Sequence, residues 1–265
     1  GKLRFYPATM SKLNDGKAYL YGEFFDLNDN IMKDKSKGFG FWSVSADGKL
    51  TDEKYCSWSL DLGKFLDVSS KGKIDDFGYM YLHNMVQVED GSIYAVGEGY
   101  KKVASGLGIA SKILTGGGGI SAVKIRITDL LLIKFDANFK VKEAKVYEKN
   151  PNNMELSNGY EFVSGPLLAK MIKYASNGFD YLYTQVNKDQ TSFSICYKDY
   201  VRGKEYKGGT FNALTYYDGK ITTDKINTKS DATRSYILPG KQGQVMVMEY
   251  YKKEKRLDMH FEKLN

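Results

Sequence analysis

Histidine, cysteine and proline are scarce in this chain of 265 residues, which carries 2 His, 2 Cys and 4 Pro. A zinc site, or a catalytic site that pairs histidine with serine or cysteine, would have to use His83 or His260, and no G-x-S-x-G motif accompanies them. We therefore predict no metal site and no cofactor. Cys56 and Cys196 each stand in an alternation of apolar and polar residues that is typical of half-buried strands, and the sequence leaves their pairing open.

Arginine is also rare, since only five of the 39 basic residues are Arg. Arginine supplies the bidentate contacts that phosphate and guanine recognition favour, and here lysines interleaved with Asp and Glu replace it. The formal net charge of +7 is therefore interpreted as a lysine-rich surface, and we predict no nucleic-acid partner. No run approaches the roughly 18 consecutive apolar residues that cross a membrane, so no membrane span is predicted.

Two short motifs resemble ligand loops, and each lacks residues that its chemistry requires. The stretch "GLGIAS" (106–111) has Ser111 where a dinucleotide-binding turn needs its third glycine. The stretch "DLNDNIMKDKSK" (26–37) has Ile31 and Lys37 where a calcium loop needs Gly and Glu. Neither motif changes the prediction that the chain uses no cofactor.

Aromatic residues are abundant, with 21 Tyr and 14 Phe, and they favour half-buried β-strands. One sequence pattern, a turn followed by a strand, recurs along the chain. Its copies are "DGKAYLYGEFFD" (15–26), "DGSIYAVGEGYKK" (90–102), "NGFDYLYTQVNKD" (177–189) and "QGQVMVMEYYKKE" (242–254). Asp-Gly and Asn-Gly pairs supply the positive φ angles that tight hairpins require. This repetition makes Gly16, Gly91, Gly178 and Gly243 equivalent turn positions.

Repeated antiparallel meanders of four strands are typical of β-propeller blades. We predict an all-β, propeller-like fold, with one domain over 1–265 whose repeat units are approximately 3–62, 79–150, 165–229 and 234–265. In the third unit, "PLLAKMIKYASNG" (166–178) is expected to form the first strand, as the corresponding stretch does in the other units. A β-sandwich or an irregular twisted meander is the alternative.

The insertion at 101–129 separates two strands of the second repeat. Apolar residues at near-helical spacing predict a short helix near 103–114, followed by a glycine run, Gly116 to Gly119, that would serve as a hinge. Because Val103, Leu107, Ile109, Ile113 and Leu114 would otherwise be exposed, we expect this helix to dock on one face of the fold, to cover the edge of its own blade, or to pack against a neighbouring subunit.

The repeat places Glu23 and Glu98 at equivalent positions after a glycine. Paired carboxylates can hydrolyse glycosidic bonds at defined separations, which makes these two residues the candidate catalytic groups. The alternative is that the repeated Gly-Glu is structural. Trp42, Tyr100 and Tyr250 are candidate ligand contacts for a sugar or a peptide, and the alternative for these aromatics is a place in the core.

The stretches "GYKKVASGLGIASKIL", "KIRITDLLLIKFDANF" and "YKKEKRLDMHFEKLN" resemble an uncharacterised Bacteroidetes family, DUF6770, over most of the chain. The resemblance implies a signal peptide, and we interpret Gly1 as the residue left by removal of a preceding segment. An exported protein of the periplasm or the cell surface is therefore expected. The resemblance gives no residue a role.

These observations predict a non-catalytic binding or scaffold module whose partner is a carbohydrate or a protein. The alternative is a glycan-acting enzyme that uses Glu23 and Glu98.

Overall fold

Sixteen β-strands form four antiparallel sheets in the part of the chain that the structure describes. The computed structural model describes residues 3–116, 121–156, 160–163, 165–228, 231–241 and 243–264. The chain divides into two compact units, Gly1–Phe179 (unit 1) and Asp180–Asn265 (unit 2).

Unit 1 contains two of these sheets, and each is a meander in which consecutive strands pair. The first sheet is formed by β1 (Leu3–Lys12), β2 (Ala18–Asp26), β3 (Gly38–Val44) and β4 (Leu50–Ser57). The second is formed by β5 (Tyr79–Gln87), β6 (Ile93–Ala104), β7 (Val123–Phe135) and β8 (Val141–Tyr147). A short strand, β9 (Asn152–Glu155), pairs with the first residues of β7.

Unit 2 contains the other two sheets, which follow the same up-and-down order. The third sheet is formed by β10 (Tyr181–Val186), β11 (Ser192–Arg202), β12 (Lys207–Tyr217) and β13 (Lys220–Asn227). The fourth has three strands, β14 (Arg234–Pro239), β15 (Gln244–Tyr251) and β16 (Arg256–Lys263).

In the described part of the chain the helical segments are short, and all of them belong to unit 1. They are a 3-10 turn (Leu62–Lys64), α1 (Gly106–Leu114), a second 3-10 turn (Tyr160–Phe162), and α2 (Gly165–Lys170), which continues as a π-helical turn (Met171–Ala175). Across the described ranges, no helix has the length and apolar character needed to cross a membrane.

The predicted fold class, an all-β propeller-like repeat of antiparallel meanders with a short helix near 103–114, is confirmed. Strand β9 of the second sheet lies beyond the predicted range 79–150, and the single domain over 1–265 with its four repeat units stays a prediction. Hairpin chemistry explains the agreement in fold class. Asp218 and Gly219 both have positive φ, at 48° and 73°, as a type I′ turn between β12 and β13 requires.

The third repeat differs from the prediction at its start. Residues 166–178, which we expected to be a strand, form α2 and its π-helical turn, because Leu168, Ala169 and Ile172 recur at helical spacing and are buried together. Gly178 then precedes β10, the first strand of its sheet, whereas Gly16 and Gly91 lie between first and second strands. Its equivalence to these glycines is therefore wrong.

Helix α1 contacts the chain through Gly108 and Lys112, but the predicted burial of the apolar residues at 107–114 within the described chain is wrong. Of the large apolar residues of α1, Leu107, Ile109, Ile113 and Leu114 are exposed. The helix stands at the tip of β6 and β7, beyond the paired strands, where no sheet of unit 1 covers it. Of the predicted hinge only Gly116 is described, with φ of 65° in a turn, and Gly117 to Gly119 lie outside the described residues.

The main core of unit 1 joins the inner face of the first sheet to one face of the second. Tyr21 and Phe41 from the first sheet are fully buried with Phe135 from the second. The Phe41 ring stacks on Phe139, with 4.5 Å between the ring centroids. The other face of the second sheet is buried beneath α2 and its π-helical turn. Leu168 of α2 and Ile172 of the turn pack there in a second core.

Cys56 and Cys196 are both buried and free, so they do not pair. Burial raises the pKa of each thiol, which keeps both protonated at neutral pH.

Replacement of Phe41 by alanine tests the main core. Removing a fully buried aromatic side chain should lower the free energy of unfolding by about 3–5 kcal/mol, because a cavity replaces its ring contacts. Urea denaturation followed by circular dichroism measures this loss. Phe65→Ala is the control at a partly exposed position and should cost about 1 kcal/mol or less. Equal losses in both variants would contradict the assignment of Phe41 to the core.

Candidate functional site

Glu23 and Glu98 occupy the same position in their respective sheets, as the repeated sequence pattern predicted. Glu23 lies on β2 opposite Tyr6 of β1, and Glu98 lies on β6 opposite Tyr81 of β5. Both follow a glycine on the second strand of a meander. Despite this equivalence the two carboxylates have different surroundings, and the difference decides what each can do.

Glu98 is enclosed by protein. Its Oε2 lies 3.1 Å from His83 Nε2 and its Oε1 lies 3.4 Å from Lys149 Nζ, and the side chains of all three residues have no exposed surface. Burial is the main cause that lowers the pKa of His83, while the Glu98 carboxylate opposes the shift. His83 is therefore neutral at neutral pH, and its Nε2 is within hydrogen-bonding distance of Glu98. We call His83, Glu98 and Lys149 the Glu98 cluster.

Two features of the fold bring this cluster together. The register between β5 and β6 shifts between Leu82 and Asn84, so that His83 is an extra residue whose ring lies 4.8 Å from the Phe179 ring. Lys149 follows the end of β8, and its main-chain N–H is held by the Asp129 carboxylate at 3.0 Å. Glu98 is thus enclosed within unit 1 with a partner at each carboxylate oxygen, and its catalytic role stays a prediction.

Glu23 as a whole residue is half-buried, whereas its carboxyl group is enclosed by protein. The Ser36 hydroxyl donates a hydrogen bond to its Oε2. Burial raises the pKa of the Glu23 carboxyl to about 7, and Ser36 and Lys35 act in the opposite direction. Ser36 is held in place because its carbonyl oxygen accepts a hydrogen bond from Trp58 Nε1 at 2.9 Å. Near neutral pH this carboxyl can therefore either donate or accept a proton.

Tyr6 and Lys35 interact electrostatically with Glu23, and each of them also contacts one further residue. Lys170 Nζ lies 4.2 Å from the centroid of the Tyr6 ring, and Lys35 Nζ lies 4.9 Å from that of Tyr79. Both distances allow cation–π attraction. Burial and the nearby Glu23 raise the pKa of Tyr6, and burial lowers the pKa of Lys170. We call these residues the Glu23 cluster, which comprises Tyr6, Glu23, Lys35, Ser36, Tyr79 and Lys170.

The three aromatic ligand candidates have different surroundings. Trp42 is buried between Phe5 and Tyr55, with ring centroids at 3.6 Å and 5.5 Å. Tyr100 is buried, and its hydroxyl donates a hydrogen bond to a main-chain carbonyl at 2.8 Å. Tyr250 is exposed, in unit 2. A ligand role for any of the three stays a prediction, and burial places Trp42 and Tyr100 in the core.

Sequence analysis did not find Lys35, Ser36, Lys170 or Lys149. The first two lie in a loop rich in Asp, Asn and Lys, where a calcium site was considered, and Lys170 lies in the segment expected to be a strand. Only the positive charge near a repeated glutamate could have drawn attention to them. Among the described residues, no group of three or more His, Cys, Asp or Glu side chains is placed to bind a metal ion.

Unit 2 has a groove of about 380 Å³ with no charged residue in its lining. None of the candidate residues lines it. The lining consists of Gln185, Asn187, Ser192, Phe193, Ser194, Thr215, Tyr217, Thr222, Gly243 and Leu264.

A family model described as a family of unknown function, DUF6770, matches residues 1–265. The chain belongs to this family. No curated protein matches it. The resemblance to this family noted in the sequence is thereby confirmed. Membership of DUF6770 assigns no activity to the chain.

The chain is also similar to solved structures of glycan-acting enzymes. One is Zg3597, a family 117 glycoside hydrolase of the marine bacterium Zobellia galactanivorans, with 12% identity, a TM-score of 0.39, and coverage of 99% of this chain and 67% of that one. Another is a levansucrase mutant of B. subtilis, with 9% identity, a TM-score of 0.26, and coverage of 100% and 84%. A levansucrase mutant of B. megaterium has 8% identity, a TM-score of 0.22, and coverage of 99% and 82%. Likeness at these scores carries no conclusion about the activity of this protein.

Replacement of Lys149 by methionine tests the Glu98 cluster. Removing one partner of a buried ion pair should lower the free energy of unfolding by about 3–5 kcal/mol. Adding Glu98→Gln should recover part of the loss, because the unpaired charge is removed. Urea denaturation gives the three values. The control is Lys142→Met, which breaks the more exposed pair with Asp136 and should cost about 1 kcal/mol or less. A stable Lys149→Met variant would show that Glu98 does not depend on this lysine.

The raised pKa of Glu23 predicts a pH-dependent stability. Because the folded-state pKa, about 7, exceeds the ordinary value of 4.5, the folded protein holds this proton more tightly than the unfolded chain. The resulting stabilisation is complete below pH 4.5 and is lost as the pH rises through about 7. The Tm of the native protein should therefore fall relative to that of Glu23→Gln across this window and change little above it. Parallel Tm curves for the two proteins would show that the pKa of Glu23 is not raised.

Proposed function

We propose that this DUF6770 protein is a non-catalytic binding module that recognises an anionic carbohydrate through the Glu23 cluster. The observation that carries the proposal is the unequal state of the two equivalent carboxylates. Glu23 as a whole residue is half-buried beside a tyrosine and a lysine, whereas Glu98 has no exposed side-chain surface and contacts His83 and Lys149.

Hydrolysis by the predicted pair is less well supported than binding. Most glycosidases use two carboxyl groups that flank the glycosidic bond, separated by about 5–9.5 Å, and both must reach the substrate. Glu98 has no exposed side-chain surface, and both of its oxygens already have partners. With Glu98 withdrawn from solvent, the Glu23 cluster offers contacts for recognition and a single carboxyl group.

The charge of the Glu23 cluster favours an anionic ligand. In the described part of the chain, Lys35 and Lys170 have their Nζ atoms over tyrosine rings. Near neutral pH the Glu23 carboxyl is partly protonated, so it does not neutralise both lysines. A carboxylate or sulfate on a sugar would supply that charge, while Tyr6, Tyr79 and Ser36 offer apolar ring surface and hydroxyl groups to the sugar itself.

A glycan-acting enzyme is the second candidate, and one observation favours it. A carboxyl group with a pKa near 7 is suited to general acid catalysis at neutral pH. In this case Glu23 would act without Glu98, and a second group, such as a hydroxyl or a water molecule, would have to come from the substrate or the solvent.

We also propose that the protein is exported to the periplasm or the cell surface, where extracellular polysaccharides are accessible. This location is supported by the resemblance to DUF6770 described in the sequence analysis, which implies a signal peptide.

An array of neutral, carboxylated and sulfated glycans tests the proposed ligand class. The protein should bind acidic glycans, and Lys35→Ala and Lys170→Ala should each weaken that binding about tenfold, as the loss of one charge-assisted contact predicts. Lys71→Ala removes the same charge at an exposed position outside the cluster and should leave binding unchanged. Equal weakening in all three variants would indicate a nonspecific effect of net charge.

Incubation of the bound glycans separates the two candidate functions. A binding module should release no new reducing ends, and Glu23→Gln should alter affinity alone. Release of reducing ends that Glu23→Gln abolishes, with binding retained, would establish the enzyme and overturn the non-catalytic proposal.

A further inference from the structure

Helix α1 is oriented opposite to an ordinary surface helix. Only Gly108 of its nine residues is buried, and it lies against the main chain of Ser121, where no side chain would fit. The large apolar side chains point away from the protein. Their exposed fractions are 76% for Leu107, 44% for Ile109, 76% for Ile113 and 85% for Leu114.

Polar contacts hold the helix in this orientation. Lys112 Nζ lies 3.0 Å from Glu161 Oε1, and the Ser121 hydroxyl donates to the same oxygen at 3.0 Å. At the other end, the Ser105 hydroxyl accepts the Gly108 N–H at 3.2 Å and caps the helix. The single charged residue of α1 is therefore used on the side that faces the protein.

The outward face of α1 consists of small and apolar residues. At 100° per residue, Gly106, Ala110 and Ile113 lie opposite Gly108, while Leu107 and Leu114 flank them. We call this surface the α1 patch, which comprises Leu107, Ile109, Ile113 and Leu114.

The size of the α1 patch calls for a partner. Its four side chains, 44% to 85% exposed, form an apolar surface comparable with the largest patches of monomeric proteins, about 300–600 Å². A standard protein interface buries about 800 Å² on each partner, so the α1 patch can supply the apolar centre of one, with polar residues around it.

We propose that a second copy of this chain docks on the α1 patch, so that two α1 helices pair across a twofold axis. A twofold interface brings the same surface from both subunits together and needs a patch that complements itself, as an uncharged apolar face does. Gly106 and Ala110 at its centre allow the two helices to approach closely. A lipid surface suits this helix less well, because membrane-binding helices carry several cationic residues on their polar face, and the only lysine of α1 is in an ion pair.

The association of residues 1–265 in solution tests this proposal. Sedimentation equilibrium at protein concentrations up to about 100 μM should show a dimer, since an apolar interface of this size supports micromolar affinity or better. Ile113→Glu should shift the protein to a monomer. The control, Leu60→Glu, places the same charge at a residue that is 72% exposed elsewhere in unit 1 and should leave the dimer intact. A native protein that stays monomeric over this range would overturn the proposal.

A cross-link locates the interface independently. Ala110→Cys places a thiol near the twofold axis and should form an intersubunit disulfide under mild oxidation, because the two native cysteines are buried and free. Lys71→Cys should not form one. A dimer that persists in Ile113→Glu and is not cross-linked through residue 110 uses another surface and would overturn the proposal. So would a monomer that floats with lipid vesicles and loses this binding in Ile113→Glu.

Discussion

The Glu98 carboxylate lies where water does not reach it, and the packing around β6 follows from the need to compensate its charge. His83 reaches it only because β5 bulges, and Lys149 reaches it only because the chain turns back after β8. The face of the sheet that carries these groups is covered by α2. One buried charge thus connects a strand irregularity, the end of a distant strand and a helix, and it accounts for why this face is not a plain apolar core.

The equivalence of Glu23 and Glu98 shows how a repeat can preserve a position while its chemistry diverges. Both glutamates follow a glycine on a second strand, yet one contacts a lysine and a histidine while the other accepts a hydrogen bond from a serine. Glu98 is thereby part of the packing of unit 1, and the proposed recognition role falls to Glu23.

The hairpins were predictable because their signals are local: Asp-Gly pairs set the turns, and alternation sets the strands between them. Residues 166–178 were mistaken for a strand because Asn177-Gly178 imitates a hairpin turn, although helical spacing of Leu168 and Ile172 was present beside it. The Glu98 cluster could not be predicted, because Lys149 lies in a Lys- and Asn-rich stretch that resembles solvent-exposed sequence. The spacing of the apolar residues also predicted the α1 helix. That spacing is the same whether the apolar face packs on a partner or on the core of its own chain.

The two tryptophans of the chain, Trp42 and Trp58, are both buried in unit 1. Their fluorescence emission therefore reports on the folding of unit 1 alone, whereas far-ultraviolet circular dichroism reports on the strands of both units. The protein thus carries an intrinsic optical probe that separates the two units without any label. The difference between the denaturation midpoints that the two signals give measures how far the two units unfold as one cooperative body.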